Sequence, residues 1–134
     1  MHPKFQQANA LSSQIIGAAI EVHRLKGPGL IESIYERCLM RELELRGIKV
    51  VNQLVVPIEY KGLVFEEPLR VDVYAEQCLI VENKAVEAIL PIHKAKLLSY
   101  MKLLDAPIGL IINFHEPLLK NGIVRLILPD ADKP

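Results

Sequence analysis

"RVDVYAEQCLIVENKAVE", Arg70 to Glu87, holds the reading that decides the fold. Two apolar runs of strand length, "RVDVYA" and "CLIVENKAV", flank Glu76-Gln77 and read as a hairpin. Inside them sit Asp72, then Glu82 and Lys84. Because side chains alternate along a strand, Arg70, Asp72 and Tyr74 share one face while Leu69, Val71 and Val73 share the other. In the second strand Ile80, Glu82 and Lys84 lie opposite Leu79, Val81 and Asn83. Whether the carboxylates meet depends on the turn. An odd-numbered loop centred on Gln77, or a bulge, places Asp72 across from Glu82; a two-residue turn at Glu76-Gln77 places it across from Val81.

Two carboxylates about 5 Å apart repel one another unless a divalent cation lies between them. Hard oxygen ligands in an incomplete shell suit Mg2+ or Mn2+, which keep several waters and take phosphate oxygens as further ligands. Lys84, two residues beyond Glu82, points to the same side, where an ammonium orients water or stabilises a phosphoryl transition state. That constellation is suited to phosphodiester hydrolysis. The plainer alternative is the solvated polar face of an ordinary hairpin.

Upstream, "FQQANALSSQIIGAAIEVHRL" carries Leu11, Ile15, Ala18, Ala19, Val22 and Leu25 at spacings of three and four, which predicts an amphipathic helix ended by Gly27-Pro28-Gly29. A second helix follows in "LIESIYERCLMRELELRG", with Ile31, Ile34, Tyr35, Cys38, Leu39 and Leu45 as its apolar positions and Gly47 as its stop. "KVVNQLVVPIEY" precedes the hairpin as a further strand, so three adjacent strands are expected to pair antiparallel. Pro91 opens a third helix, "IHKAKLLSYMKLLD", which is apolar almost all round and is expected to be covered on more than one side. "IGLIINF" reads as a strand buried on both faces and, coming after a helix, as a parallel partner of an earlier strand. "IVRLIL" is the last strand, and the tail "PDADKP" is expected to fray. The resulting class is α/β in the α+β sense: two helices, a three-stranded meander, a helix and a further strand pair in a mixed sheet.

The 134 residues suffice for one domain, 1–134, and no linker or repeat divides them. With no tryptophan, four tyrosines and three phenylalanines, the core must be built from aliphatic side chains. Sixteen basic residues balance sixteen acidic ones, which removes the broad attraction behind non-specific polyanion binding and confines any nucleic-acid contact to a local patch. Zero net charge with a high apolar fraction favours a homodimer. Cys38 and Cys78 have no metal-ligand spacing and read as reduced and structural. Neither a signal peptide nor an apolar run near the roughly 20 residues of a membrane span is present, so a cytoplasmic location is expected.

Motif context adds to this. "GLIESIY", with Gly29, Glu32 and Tyr35, followed by the hairpin and "VENKAVEAILPIHKAKLLSYMKLLDAPIGLIINF", resembles the GxxExxY protein family, which is grouped with the PD-(D/E)XK nucleases. The resemblance runs from the first helix through Phe114. It implies a restriction-endonuclease-like core with Mg2+ or Mn2+ held on the central hairpin and DNA or RNA as substrate, in DNA processing or repair, and no membrane partner. Residue by residue it puts the motif acids on Asp72 and Glu82 and the lysine on Lys84, with Glu32 as an additional acid from an N-terminal helix. Glu32 also reads as a first-turn glutamate, favoured by the helix dipole by about 0.3 to 1 kcal/mol. The chain departs from the family where Lys96 replaces a glutamine that often precedes the tyrosine, here Tyr100. His93, Lys96 and Tyr100 fall at i, i+3 and i+7 and can form one stripe, placing Lys96 and His93 near a phosphate. His23 reads either as a phosphate contact or as a helix-end histidine favoured by the dipole. Tyr35 is expected to pack, with its hydroxyl bonded to a neighbour. The alternative to catalysis is a nuclease-fold module that acts by binding a protein or a second copy of itself.

Overall fold

The hairpin turn settles the register. In the computed structural model, which describes residues 1–134 apart from the side chain of Pro68, strand β2 (Leu63–Ala75) meets β3 (Leu79–Lys84) through Glu76, Gln77 and Cys78. Glu76 and Gln77 both adopt left-handed backbone, with φ of 50° and 56°. The Tyr74 hydroxyl and the Lys4 ammonium donate to the Gln77 carbonyl at 2.9 and 3.0 Å and pin the turn. Ala75 faces Leu79, Tyr74 faces Ile80 and Val73 faces Val81, a register that runs on toward Asp72 and Glu82, where the ladder ends. The turn is the odd-numbered one.

Around this hairpin the chain builds one five-stranded sheet in the order β1-β2-β3-β4-β5, with β1 at Val50–Tyr60, β4 at Ile108–Asn113 and β5 at Ile123–Ile127. Neighbours are antiparallel except β3 and β4, which run parallel because helix α3 (Pro91–Leu104) crosses over between them. A 3-10 turn at Leu119–Gly122 leads into β5. Helices α1 (Phe5–Lys26) and α2 (Glu32–Leu45) cover one face of the sheet, where Ile15, Ala19, Tyr35, Leu39 and Leu43 close over Val73, Val81, Leu110 and Ile112. On the other face Leu97, Tyr100 and Met101 of α3 pack on Ile80 and Ile111. Each such fully buried aliphatic side chain contributes about 1.5–3 kcal/mol relative to exposure, which fixes the stacking of the layers around β3.

Several expectations change. Leu25, Ile31, Ile34 and Leu45 stand in solvent; of the stripe expected in α2, Tyr35 and Leu39 are buried and Cys38 is half-buried, and Leu43, not expected there, completes it. Helix α3 is covered on one side only: Ile92 and Leu103 are exposed because no further layer lies over it. The tail does not fray, since the Ala131 carbonyl accepts from the His2 amide at 2.8 Å and Ala131 is buried. The face assignment in β2 also fails. Val71 packs under α3 whereas Val73 packs under α1 and α2, so the alternation breaks at Asp72. Strand β1 breaks with it, Val50 lying with one cluster and Leu54 and Val56 with the other. The cause is Gln53, whose φ of 54° turns the backbone left-handed where the ladder passes from Asn52–Val73 to Leu54–Val71. No helix of the described residues is long and apolar enough to cross a membrane.

Candidate active site

Beyond Val73–Val81 the two strands part, β2 staying with β1 while β3 continues along β4 through Glu82–Ile111 and Lys84–Asn113. The parting strips backbone donors of their ladder partners, and the two acids take them up. The Asp72 amide donates to Glu82 Oε1 at 3.4 Å, and the Asn83 amide donates to Asp72 Oδ2 at 2.9 Å. Both carboxylates are thus drawn to one point, the mouth of the fork. Asp72 is half-buried, and Glu82 is 6% exposed.

The electrostatics follow from that burial. Loss of water, then the neighbouring Asp72 charge, pushes the Glu82 carboxyl up to about 8, against the pull of the Lys84 ammonium. Glu32, in the first turn of α2, is raised by burial, and the charges of Lys84, Asp72, Glu36 and Lys96 all act on it, although its side chain is open to solvent on one side. The site therefore gathers Asp72, Glu82 and Lys84 from the sheet, with Glu32 and Lys96 around them. Among the described residues no three His, Cys, Asp or Glu side chains form a ready cage for a metal ion. Two adjacent carboxylates, one of them buried and disfavoured as an anion, nonetheless fit a hard divalent cation that keeps much of its water.

The family model described as the PD-(D/E)XK nuclease superfamily matches residues 9–126. The chain belongs to that superfamily. No curated protein and no solved structure matches the chain. PD-(D/E)XK nucleases typically use divalent metals, in keeping with the paired acids at the fork.

Residues outside the opened hairpin hold Asp72. The Gln53 amide donates to Asp72 Oδ1 at 3.4 Å and to Glu36 Oε2 at 2.8 Å, and Asn52 Nδ2 donates to the same Glu36 oxygen and to the Asp72 carbonyl, each at 2.9 Å. Glu36 on α2 thus fastens β1 and, through it, Asp72. At the other end, Asn113 on β4 is fully buried and clasps Val86 through both amide groups at 2.8 and 3.0 Å, fixing the chain just past Lys84. Sequence reasoning missed all four residues. The available signals were the Asn52-Gln53 pair inside a valine-rich strand and a polar residue closing the run "IGLIIN".

Tyr35 packs as expected for the PD-(D/E)XK chain's "GLIESIY" segment. Its ring stacks on Phe114 at 4.6 Å, its hydroxyl donates to the Gly27 carbonyl, and the Leu30 amide donates back to it at 3.0 Å. That clamp sets the entry of α2 and hence Glu32. Lys96 is exposed with its ammonium 5.6 Å from the Tyr100 ring centre. Both histidines are engaged away from the carboxylates: His23 Nε2 bonds the Glu116 carbonyl at 2.7 Å, and His93 Nδ1 accepts from the Leu90 amide at 3.0 Å, capping α3. Asn83 is fully buried on the face opposite Glu82, and its amide group finds no partner among the described residues.

Proposed function

We propose that this chain is a metal-dependent nuclease of the GxxExxY branch, hydrolysing phosphodiester bonds of DNA or RNA with Asp72, Glu82 and Lys84. The observation that carries the reading is the meeting of Asp72 and Glu82 at the fork, where the Asp72 amide donates to Glu82 Oε1 at 3.4 Å, with Lys84 two residues on along β3. Asp72 and Glu82 would hold Mg2+ or Mn2+, and Glu32 would add a carboxylate from α2. Such an ion, when bound, supplies positive charge to the phosphate oxygens and makes water a stronger nucleophile. Lys84 then stabilises the charge that develops on the phosphoryl group, in a half-buried setting where that charge is poorly screened by water. Lys96 lies on the side of Glu32 and contributes a second cation toward the phosphate; the exposed position leaves it free to follow the substrate.

The test is incubation of purified protein with single- and double-stranded DNA and RNA, in Mn2+ or in chelator. Cleavage only with metal, lowered about a hundredfold or more in Asp72→Ala and in Lys84→Ala, is the expected result. Absence of metal-dependent cleavage, or cleavage indifferent to both substitutions, overturns the reading.

A second reading rests on the outer part of the β1–β2 ribbon. Past the register shift between Val56 and Ile58, Tyr60, Leu63 and Val64 are 62%, 59% and 68% exposed, an apolar tip on an otherwise unsupported two-stranded arm. This favours association with a second copy through the arm. Sedimentation should then show a concentration-dependent dimer that Val64→Lys with Leu63→Lys disperses; a monomer at all concentrations removes this reading.

A further inference from the structure

We propose that the cleft between α2 and the start of β1 is the bed for a single-stranded polynucleotide leading away from the carboxylate site. The proposal rests on the nuclease reading and names its substrate class. The cleft encloses about 590 Å3 and is open along its length. Its floor is apolar: Ile48 is buried, and Met40 and Val50 are half-buried. Its rim is cationic, with exposed Arg37, Arg41 and Lys49. Glu44 partners Arg41 at 2.6 Å, while Arg37 and Lys49 have no carboxylate partner among the described residues.

Asn52 is the link between cleft and site: it lines the cleft and donates to both Glu36 and the Asp72 backbone carbonyl at 2.9 Å, so a single side chain lies between the cleft and the residue that bears the first carboxylate. Along α2 the groove extends from Arg37 to Glu44, about 10 Å at the helical rise, enough for a short stretch of backbone. Cations along the rim and an uncharged floor match a single strand, whose phosphates and base faces are both accessible; a duplex hides its base faces and needs a broad basic surface. The chain's zero formal charge gives it no net attraction for a polyanion. With no aromatic side chain on the floor, binding is expected to be weak, salt-sensitive and indifferent to sequence.

Fluorescence anisotropy of labelled single-stranded DNA, single-stranded RNA and duplex DNA, in chelator so that nothing is cleaved, tests this. Arg37→Ala with Lys49→Ala changes only exposed side chains, so folding is retained. The double variant should weaken single-strand binding by about tenfold and flatten the salt dependence by about 1.4 log units per log unit of salt, two phosphate contacts' worth. A preference for DNA or RNA identifies which strand the cleft takes. Unchanged affinity and slope in the variant, or a duplex that binds as tightly and with the same dependence on Arg37 and Lys49, overturns the proposal. The two readings fail separately. Cleft-dependent binding without any cleavage upholds the cleft and removes the nuclease; metal-dependent cleavage whose KM ignores both substitutions upholds the nuclease and removes the cleft.

Discussion

At the scale of single residues, the site is a pair of acids placed where one of them resists ionisation. The Glu82 carboxyl stands at about 8 against an ordinary value of 4.5, chiefly because it is buried and next because Asp72 is charged beside it. Its folded value lies above its unfolded one, so the folded chain binds the extra proton between the two. The contribution of Glu82 to the stability of the metal-free protein is therefore fullest below about pH 4.5 and is lost as pH rises toward 8, by at most about 1.4 kcal/mol per pH unit. Denaturant unfolding in chelator from about pH 5 to about pH 8 should show the parent losing stability relative to Glu82→Gln as pH rises. A difference between the two that does not change with pH, or that changes in the opposite direction, contradicts the assignment. Asp72, Glu82 and Lys84 were legible in the sequence as charges in an apolar hairpin. Their meeting was not, because it hinges on left-handed Glu76 and Gln77, residue types that give no glycine or asparagine signal for such a turn.

At the scale of elements, the strands and helices follow from hydrophobic period and turn residues, and their order follows from the sequence, including the parallel return of β4. Which face each presents was less legible. In α2 the expected stripe holds for Tyr35 and Leu39, with Tyr35 locked by Phe114 and the Gly27–Leu30 turn, but Ile31, Ile34 and Leu45 lie outside the face this lock presents to the sheet, and Leu43 lies within it. In β1 the break in alternation at Gln53 is a backbone event that a pattern of apolar and polar letters does not carry. It makes a prediction: glycine tolerates positive φ and a β-branched residue does not. Gln53→Gly should stay within about 1 kcal/mol of the parent, whereas Gln53→Val should lose about 1–3 kcal/mol, both read by denaturant unfolding. Equal losses in the two variants would mean that the amide, rather than the backbone turn, sustains the ribbon. A related packing constraint lies in β4, where a Cβ on Gly109 would sit 2.7 Å from Met101 Sδ and 2.9 Å from Leu97 Cδ1. Gly109→Ala should cost about 1–3 kcal/mol by forcing α3 outward, a loss that a thermal melt detects; an unchanged melt shows that Met101 and Leu97 give way freely.

At the scale of the whole molecule, the fold brings Asp72, Glu82 and Lys84 together at the β2–β3 fork and sets Glu32 of α2 within reach of the charges of Asp72, Lys84 and Lys96, while His23 and His93 are engaged elsewhere. Balanced net charge was legible from composition, and it limits recognition to local patches such as the α2–β1 cleft. The patches themselves were not legible, since Arg37, Arg41 and Lys49 gather only once α2 packs beside β1. The opposed acids are expected to bind a divalent cation as a property of the folded chain. Calorimetric titration of the chelator-stripped protein with Mn2+ tests it most directly. One ion per chain should bind, more tightly as pH rises toward 8 and Glu82 gives up its proton, and Asp72→Ala should abolish binding while leaving the fold intact. No binding by the parent chain, or binding undiminished in Asp72→Ala, would contradict it.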